Sequence, residues 1–505
     1  MAFTTEQAAA AIEGLASRGM VIGDERRASG GGGSYAHHDP ATGRRQADVP
    51  VGGADDVDAA VAAARAALPV WRSTTVPERA AALLRLADLL EANGAEAAAI
   101  NARDNGCPVS ILDAGTYTAN WARHYAGWVD KIEGRVIPMP MAGHLDYTIP
   151  EPYGVVAALV PWNGPMMGMG HKAIPALAAG NTVVAKPPEI APFGAIRFAE
   201  LALEAGLPPG AVNVVPGGAT TGELLVRHPG VDKISFTGGV VAARAVMAAA
   251  AEQLTPLCFE LGGKSANIVF PDADLDQACM VAGLLGAVML SGQGCALPTR
   301  LYAHADVFDE VVERVVALAE NVAIGDPLDP ATLMGPVVNA AACERVMGVI
   351  ERAKAESGGR LVTGGRRLEG ELAGGYYIAP TVFADVDDSS DLARNEVFGP
   401  VLSVMRFTEE DDVVARANAS HFGLGGYVFT RDLGRAHRMA ERLEVGAVTV
   451  NAFPYLSPNA PFGGVKQTGN GHREGGWEVY EFYSETKVGY IDYSGALQRA
   501  QIDNY

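Results

Sequence analysis

The segment 259–300 constrains the fold of this chain more than any other. It begins with an apolar run that ends in a single acid, Glu260, followed at once by a glycine pair at 262–263. It ends with one cysteine, Cys295, behind the sequence Gly-Gln-Gly at 292–294, whose glycines let a substrate approach the backbone closely. Between them, the run CMVAGLLGAVML predicts a buried helix. The segment therefore predicts that a strand end and a helix end bring an acid and a thiol together.

The length of the chain requires more than one core, because single hydrophobic cores stop growing at roughly 250–300 residues. The chain has 505 residues, 49% hydrophobic and 19% charged, which is typical of a folded protein with two or more domains. Its net charge of −20 argues against nucleic acid or an anionic membrane as a partner. The longest apolar stretch, 279–290, is shorter than the roughly 20 residues of a membrane span. The first residues also lack the basic region of a cleaved signal peptide.

The five cysteines are odd in number and widely spaced, which fits neither a disulfide framework nor a CxxC metal site. We therefore expect free thiols, no bound metal and a cytoplasmic location. His37 and His38 are adjacent, but no matching ligand cluster follows them, so a solvated loop is the preferred interpretation.

Short apolar strands alternate with amphipathic helices along most of the chain, which is typical of α/β domains with largely parallel sheets. Residues 1 to about 35 are rich in alanine and then glycine, which predicts a weakly ordered arm. Asp55 or Asp56 is expected to cap the first long helix, and Pro77 lies suitably for the first turn of the second.

Three aromatic residues, Trp121, Tyr125 and Trp128, have helical spacing and are expected in the core rather than at a cofactor. The segment 144–152 alternates polar and apolar residues and predicts a hairpin arm outside the main domains. The apolar run that follows predicts a buried strand. Asn163 stands directly after it, at the mouth where α/β sheets place ligands, although an asparagine there can also simply cap the next helix.

The chain resembles the aldehyde dehydrogenase superfamily. The string ELGGKS is followed, 35 residues after Glu260, by a GQxC cysteine, and the strings PWN, NTVVAK, SFTGG, NEVFGP and PFGGVK stand in family order. The resemblance covers residues 22–491. It implies an α/β fold with a Rossmann-like cofactor domain, a second α/β catalytic domain and a small β oligomerisation arm. The implied NAD-binding domain spans 1–133 and 153–261, the catalytic domain 262–470, and the arm 134–152 with 480–505.

The resemblance assigns four catalytic side chains. Cys295 is the nucleophile, Glu260 the base that activates water, Asn163 the donor to an oxyanion, and Lys172 a proton relay. A thiol has a pKa of about 8.5 and reacts as the thiolate, and a site can lower that value further. The implied reaction oxidises an aldehyde to the carboxylic acid with NAD⁺ and water, through a cysteine thiohemiacetal and a thioester.

Two alternatives remain open. A CoA-acylating dehydrogenase transfers the acyl group to CoA rather than to water, and such an enzyme has no use for the base Glu260. A member of the family can also persist as a structural or binding protein without turnover.

The cofactor residues are also implied by the resemblance. Lys186 and Glu189 correspond to the residues that hold the adenosine ribose, and Gly238 and Gly239 open a helix whose N-terminus can face a pyrophosphate. Glu396 corresponds to the residue that holds the nicotinamide ribose. The other implied cofactor contacts are Pro161, Trp162, Phe236, Leu261, Gly262 and Phe398.

The carboxylate at Glu189 favours NAD⁺ over NADP⁺, because it accepts hydrogen bonds from a ribose diol and repels a 2′-phosphate. Lys186 keeps NADP⁺ open as the second choice. The chain departs from the common family pattern at three positions, since Pro188 and Gly239 replace serines and Ala243 replaces a glycine.

The family pattern also implies a tunnel to the thiol, lined by Gly164, Met167, Gly168, His171, Phe453, Leu456 and Phe462. Members often carry an aromatic ring at the positions of Gly164 and His171, so the tunnel is expected to be wide. Met166 and Met169 are expected to lie nearby as adaptable apolar groups. The predicted substrate is a bulky hydrophobic or aromatic aldehyde, and the alternative is that other loops refill the space.

The closing segment 480–491 predicts a strand that joins the hairpin arm in a sheet bridging two subunits. Its apolar residues Phe482, Val488 and Ile491 would form an exposed edge unless covered, so a homodimer or homotetramer is expected. His472 and Arg473 stand where an Arg-Glu pair is usual in the family. A slip of one residue in the loop would also explain this, and no role is assigned to either residue.

Overall fold

The computed structural model describes residues 14–356, 358–453 and 456–495. The first 13 residues of the predicted N-terminal arm and the last ten of the predicted oligomerisation segment lie outside this range. Within it, the chain forms two seven-stranded sheets, a three-stranded sheet and a two-stranded hairpin.

The elements before residue 262 build the first sheet, its helices and most of the small arm. In chain order they are β1 Met20–Ile22, β2 Glu25–Arg27, β3 Ser34–His38, β4 Arg45–Pro50, α1 Ala54–Arg72, α2 Val76–Ala92, α3 Gly94–Asn105, α4 Ala114–Ala126, β5 Val136–Ile137, β6 His144–Pro152, β7 Val155–Leu159, α5 Pro165–Ala178, β8 Thr182–Lys186, α6 Phe193–Glu204, β9 Val212–Val214, α7 Ala219–Val226, β10 Lys233–Gly238, α8 Val240–Ala251 and β11 Leu257–Leu261.

The first sheet has the order β11-β10-β7-β8-β9-β1-β2 and is parallel from β11 to β9. The chain runs outward from β7 to β8 and β9, then returns to place β10 on the other side of β7. The carboxyl ends of β7 and β10 therefore flank the point where the strand order reverses, which is where doubly wound sheets bind ligands.

The elements after residue 262 build the second sheet and return to the first. They are β12 Ala266–Val269, α9 Leu275–Gly283, β13 Arg300–His304, α10 Phe308–Asn321, α11 Ala340–Ala355, β14 Arg360–Thr363, β15 Thr381–Ala384, α12 Asp391–Arg394, β16 Val401–Phe407, α13 Glu410–Asn418, β17 Gly425–Phe429, α14 Leu433–Arg442, β18 Ala447–Val450, α15 Val479–Tyr483 and β19 Ser484–Asp492. The second sheet has the order β14-β15-β16-β13-β12-β17-β18 and is parallel except at β14. The predicted α/β fold class, with a Rossmann-like sheet and a second α/β sheet, is confirmed.

The prediction of a weakly ordered arm is wrong for the described residues after 14. Strand β1 is buried and pairs with β9 through Val21 and Val214, so it extends the first sheet. The glycine-rich turn at 30–33 is held by the buried carboxylate of Asp56, whose Oδ2 accepts from the amides of Gly31 at 2.7 Å and Gly53 at 3.0 Å. The glycines allow this because a side chain at Gly32 or Gly53 would collide with the backbone of the opposing loop.

Three local predictions need correction. The first long helix is capped by Gly53, and Asp56 acts from inside the helix rather than as its cap. Trp128 lies after the end of α4, while Trp121 and Tyr125 are buried on the helix as expected. His37 is buried against Asp104 at 3.2 Å instead of lying in a solvated loop.

The predicted buried helix before the cysteine is not continuous. Helix α9 gives way to a wider π turn at Leu284–Val288 and a tight turn at Met289–Gly292. The stretch Leu275–Gly292 is long and apolar enough to pass a composition test for a membrane span, but 61% of it is buried inside the fold. Its buried side chains pack beneath β13 and α10, so its apolar character serves the core of the second sheet.

The arm is a three-stranded antiparallel sheet in the order β19-β6-β5, and β19 pairs with β6 from Ser484 to Asp492. The closing strand therefore begins at Ser484 and not at Tyr480. Phe482 lies on the short helix α15 and is buried, so it does not belong to the predicted exposed edge. Val488 and Ile491 are exposed as expected.

Candidate active site

A cleft of about 520 Å³ opens between the two large sheets, at the carboxyl ends of β7, β10 and β11. It reaches Cys295 at its floor and takes in side chains from both halves of the chain. Most of the predicted cofactor residues line it, namely Pro161, Trp162, Lys186, Phe236, Gly238, Gly239, Leu261, Gly262, Glu396 and Phe398. The catalytic candidates Asn163, Glu260 and Cys295 line it as well.

The turn before Cys295 is strained and heavily fixed. Leu290 and Ser291 both have left-handed backbone angles, with φ near +52° and +53°, which side chains rarely adopt. Hydrogen bonds hold them there: the Ser291 hydroxyl donates to the Gly335 carbonyl at 2.7 Å, and the Gln293 amide donates to the Leu290 carbonyl at 3.1 Å. The side chain of Gln293 also accepts from the amide of Val338 at 2.9 Å. The candidate nucleophile thus lies on a loop whose conformation these hydrogen bonds fix.

Asn163 does not cap the following helix, which begins after Gly164. Its side-chain Nδ2 donates to the carbonyl of Gln293 at 2.8 Å, two residues before Cys295. One N–H is used in this way, and an amide nitrogen carries two. The bond fixes the orientation of Asn163 relative to the cysteine loop and leaves its second N–H available in the cleft.

Burial raises the pKa of the Cys295 thiol to about 12, and the neighbouring carboxylates of Glu396, Glu260 and Glu474 add to the effect. The expectation of a lowered thiol pKa is therefore not met in this structure. No described disulfide involves the thiol, and all five cysteines are free.

Glu260 lies near the end of β11 with only 4% of its surface exposed. Neither of its carboxylate oxygens has a hydrogen-bond partner among the described residues. Burial raises its pKa well above the ordinary value, and the nearby charge of Glu474 raises it further. A carboxylate in this state takes up a proton readily.

Glu474 is a site residue that the sequence analysis did not assign. It is buried, and its Oε1 accepts from Lys172 Nζ at 2.6 Å while its Oε2 lies 3.2 Å from His171 Nδ1. Burial alone would raise the pKa of Glu474, but the Lys172 ammonium and the imidazole of His171 lower it instead. The signal was present in the sequence, because Arg473 and Glu474 are the expected Arg-Glu pair displaced by one residue.

The loop that carries Glu474 is fastened to the exposed edge of β11. Asn470 accepts from the amide of Phe259 at 3.0 Å and donates to the carbonyl of Leu257 at 2.9 Å. Farther along, Phe462 and Glu474 exchange backbone hydrogen bonds of 2.6 and 2.7 Å. The loop therefore covers an open strand edge and delivers Glu474 beside Glu260.

Glu396 approaches the cleft from the second sheet. Its Oε1 accepts from the amide of Gly263 at 3.0 Å, and burial raises its pKa to about 7. The next residues are held by Arg345, which donates to the carbonyls of Val397 and of Phe398. Phe398 has a left-handed φ of +50°, and its ring meets that of Trp162 edge to face at 5.3 Å. These two rings approach each other across the cleft from opposite sheets.

At the other end of the cleft, Lys186 donates to the carbonyl of Gly217 at 2.8 Å, and burial lowers its pKa to about 8. Glu189 is only half-buried beside Gly218 and is not among the residues lining the cleft. Gly239 caps the start of α8, and a side chain there would meet no atom within 4 Å. An open helix N-terminus of this kind suits a phosphate group.

Some of the predicted tunnel residues lie on α5 or at its start, and the others lie on the loop after β18. The atoms nearest to a side chain at Gly164 would be those of Met167, with its Sδ 3.4 Å away at ordinary contact distance, so space is available there. Gly168 gives no such space, because a Cβ would lie 3.0 Å from Pro161 and 3.2 Å from Val160. His171 is held at both ring nitrogens, since its Nε2 lies 2.9 Å from the hydroxyl of Tyr117.

The remaining tunnel candidates lie on the loop after β18. Phe453 is largely exposed, and Leu456 and Phe462 are half-buried. Met166 and Met169 are buried in the core of the first sheet and do not adapt a tunnel wall, contrary to expectation.

The chain matches the sequence model described as the aldehyde dehydrogenase family over residues 27–488. The chain belongs to the aldehyde dehydrogenase family. It is 44% identical to a betaine aldehyde dehydrogenase of Rhizobium leguminosarum bv. trifolii (strain WSM2304), over 90% of this chain and 92% of the relative.

Two solved structures agree with the fold. An aldehyde dehydrogenase from Bacillus cereus, solved with NAD⁺, is 38% identical, with a TM-score of 0.91 over 95% of this chain and 98% of the other. A protein described as an NADP-dependent enzyme from E. coli is 37% identical, with a TM-score of 0.90 over 94% and 98% of the two chains.

The protein is therefore an NAD(P)-dependent aldehyde dehydrogenase, as the resemblance implied. The cleft of this aldehyde dehydrogenase fits a dinucleotide, because the open N-terminus of α8 suits phosphate groups and the carboxylate of Glu396 suits a ribose diol. Lys186 adds a positive charge at the end of the cleft beside Gly217.

We expect Cys295→Ala to reduce aldehyde oxidation below about 1% of the wild-type rate, because the variant has no group that can bond to the aldehyde carbon. Cofactor affinity should stay within about twofold, since the thiol is at the floor of the cleft. Cys343→Ala, the same change at a buried thiol of the second sheet, is the matched control and should retain activity. Steady-state NADH formation and cofactor titration measure both. Residual oxidation by Cys295→Ala above this level would contradict the role of Cys295.

Proposed function

We propose that this aldehyde dehydrogenase oxidises a bulky hydrophobic or aromatic aldehyde to its carboxylic acid with NAD⁺ and water, through an acyl group held on Cys295. The observation that carries the proposal is the convergence on one cleft of Cys295, Asn163 and a buried Glu260 that has no hydrogen-bond partner in the described part of the chain.

The first half of the reaction is attack by Cys295 on the aldehyde carbon. The thiol proton passes to water in the cleft as the sulfur bonds to the aldehyde carbon, and the oxygen of the resulting thiohemiacetal, which becomes negative, accepts from the second N–H of Asn163. Loss of one such donor typically costs about 3–4 kcal/mol of the activation barrier. The bond from Asn163 to Gln293 supports this role, because it holds the donor in place before the substrate arrives. Loss of a hydride to NAD⁺ held in the cleft would leave the carbon on Cys295 as a thioester.

The second half is hydrolysis of the thioester. Glu260 is the base for the attacking water, because its carboxylate is buried, has a raised pKa and accepts no hydrogen bond from the described residues. Lys172 and Glu474 lie behind it as a bonded pair and offer a route for the proton. A CoA-acylating reaction remains the alternative, and the presence of Glu260 weighs against it because CoA needs no such base.

We expect Glu260→Gln to slow thioester hydrolysis more than the steps before it, because the amide cannot take a proton from water. Mixing the variant with aldehyde and NAD⁺ in a stopped-flow instrument should then give a burst of NADH followed by slow turnover. Adding CoA is the control for the alternative, since acyl transfer to CoA would raise turnover in the wild type and restore it in the variant. A variant that loses its burst but keeps the wild-type steady-state rate would contradict this role.

We propose NAD⁺ rather than NADP⁺ as the preferred cofactor. The carboxylate of Glu189 repels a 2′-phosphate, and the ammonium of Lys186 is already bonded to the carbonyl of Gly217. We expect kcat/KM for NAD⁺ to exceed that for NADP⁺ by on the order of tenfold. Glu189→Gln removes the charge at constant size and should narrow the ratio. A ratio near one in the wild type would contradict the proposal.

The bulky substrate is supported by the space at Gly164, which directly follows the cleft residue Asn163. Gly164 leaves space beside Met167, and the family pattern assigns the rings of Phe453 and Phe462, on the loop after β18, to the same wall. The betaine aldehyde named for the relative is a quaternary ammonium compound, and such cations are bound by the faces of aromatic rings. Gly164 offers no ring and the imidazole of His171 is committed to Tyr117 and Glu474, so among the proposed wall residues only Phe453 and Phe462 offer a ring to such a cation.

We expect benzaldehyde or a long-chain aldehyde to show the highest kcat/KM in a panel with acetaldehyde, succinic semialdehyde and betaine aldehyde. A small aldehyde would leave the space at Gly164 empty and lose contact energy. Gly164→Phe should lower kcat/KM for benzaldehyde by at least about tenfold and change that for acetaldehyde little. Highest activity on any of the other three substrates would overturn the proposed substrate class.

We also propose a homodimer or homotetramer. Strand β19 lies at the edge of the arm with Val488 and Ile491 exposed, and β18 lies at the edge of the second sheet. The apolar helix α8 adds Val241, which is 83% exposed, and Met247. Edges and apolar faces of this kind are usually covered in stable proteins.

Light scattering at micromolar concentration should therefore give a mass of at least twice the 52.5 kDa of one chain. Val488→Asp should lower that mass on dilution, because a charge at the interface must lose its water. Val70→Asp introduces the same charge at a similarly exposed position on α1 and should leave the mass unchanged. A wild-type mass of 52.5 kDa would contradict the assembly.

A further inference from the structure

His171 is held on three sides. Its Nδ1 lies 3.2 Å from Glu474 Oε2, its Nε2 lies 2.9 Å from the Tyr117 hydroxyl, and its ring packs on Trp121 with centroids 4.3 Å apart. The side chain is only 14% exposed. An imidazole fixed in this way cannot turn freely toward a substrate, so its placement serves its bonded neighbours.

The two oxygens of Glu474 have different donors. Lys172 Nζ donates to Oε1 at 2.6 Å, and His171 Nδ1–H donates to Oε2. Both bonds favour the carboxylate form of Glu474, because charged oxygens accept more strongly and a protonated acid has a hydrogen on one of them. With Nδ1 as donor, neutral His171 accepts at Nε2 from the Tyr117 hydroxyl. Protonated His171 donates at both nitrogens, and the bond to Glu474 is kept in either state.

Glu474 and Glu260 are two buried carboxylates in one pocket. Like charges at short range cannot both ionise easily, so one of the two holds a proton more readily than the other. Glu474 has two bonded donors, whereas Glu260 has none among the described residues. The proton therefore goes to Glu260, which is the behaviour required of the base.

The other ionisable groups around the pair do not reverse this order. Arg473 and Lys172 act on Glu260 from the closing loop and α5, and both favour its charged form less strongly than Glu474 opposes it or burial does. The remaining groups that respond to the pair are neutral thiols and phenols with raised pKa values, namely Cys258, Cys295, Tyr125 and Tyr483. Among these groups, Lys233 acts on Cys258, whose pKa its charge lowers.

We propose that His171 is a positioning residue, which holds the negative charge on Glu474 and so reserves Glu260 as the group that takes the proton from water. This inference rests on the proposed roles of Cys295 and Glu260. His171 would then have two roles, because the family pattern also assigns it to the wall of the substrate tunnel.

Removing the imidazole of His171 should shift the pH dependence of thioester hydrolysis in a defined direction. Glu474 would keep only Lys172 as donor and would share the proton with Glu260. Protonated Glu474 no longer repels charge on Glu260, so Glu260 ionises at lower pH and becomes a weaker base. The acid limb of thioester hydrolysis should then move to lower pH, and its plateau rate should fall.

The test is the hydrolysis of an acyl-enzyme formed from p-nitrophenyl acetate, followed as a function of pH. The ester acylates Cys295 and releases p-nitrophenol in a burst, and the slower release that follows reports hydrolysis by water without any hydride transfer. A wild type that gives no burst would argue against the proposed function itself. The inference about His171 is judged only on the pH dependence of the second phase.

Four variants separate positioning from wall packing. His171→Phe keeps a ring against Trp121 but removes both nitrogens, and we expect its acid limb to move by on the order of one pH unit downward with a plateau at least about threefold lower. His171→Asn places an amide N–H near the position of Nδ1 and should keep the wild-type limb. Tyr117→Phe leaves the bond to Glu474 intact and should also keep it. Glu474→Gln should shift the limb in the same direction as His171→Phe.

The double variant His171→Phe with Glu474→Gln should shift the limb no further than Glu474→Gln alone, because both changes act through one carboxylate. A wild-type limb in His171→Phe, an equal shift in His171→Asn, or additive shifts in the double variant would each overturn the proposal. If His171→Phe does not fold, an unshifted limb in Glu474→Gln would overturn it alone.

Discussion

The site depends on the close approach of two backbones at the glycine pair 262–263, where the first sheet ends and the second begins. A side chain at Gly262 would lie 2.1 Å from a carboxylate oxygen of Glu396, and one at Gly263 would lie 2.5 Å from the carbonyl of Cys295. Only glycine leaves room for both. Because the joint is this narrow, Glu260 just before it, Glu396 and Cys295 share one cleft although they come from distant parts of the chain.

The electrostatics of the cleft follow from crowding three carboxylates into it. Burial raises the pKa of Glu260, Glu396 and the Cys295 thiol, whereas Glu474 remains ionised because Lys172 and His171 bond to it. The site therefore combines one carboxylate that its bonded donors hold in the ionised form with several buried groups whose pKa values are raised. When neighbouring carboxylates have different pKa values, one pocket can hold one of them ionised and use the other as a base near neutral pH.

Much of this arrangement could be predicted from the sequence, since it is written in short local strings. Glu260 and Cys295 stand in ELGGKS and GQxC, and the alternation of strands and helices gave the α/β class. Glu474 was missed because its meaning depends on a one-residue displacement of the Arg-Glu pair, which only a fixed loop path can settle. Asn470 and Glu474 acquire their neighbours through contacts over 200 residues away in the chain, at Phe259 and at Lys172.

The wrong predictions near the two termini also arise from contacts with residues far away in the chain, which local sequence does not reveal. Residues 20–22 form only a three-residue strand in a glycine-rich context, so local propensity predicts no structure, yet the edge of the first sheet beside β9 recruits them. Phe482 has the β propensity expected of the closing strand, but it is buried on a short helix against the core of the first sheet. The same core contacts anchor the chain between Glu474 and β19. The segment after residue 462 thus closes the edge of β11, supplies Glu474 and enters the arm in one continuous path, so site and arm are built by the same stretch of chain.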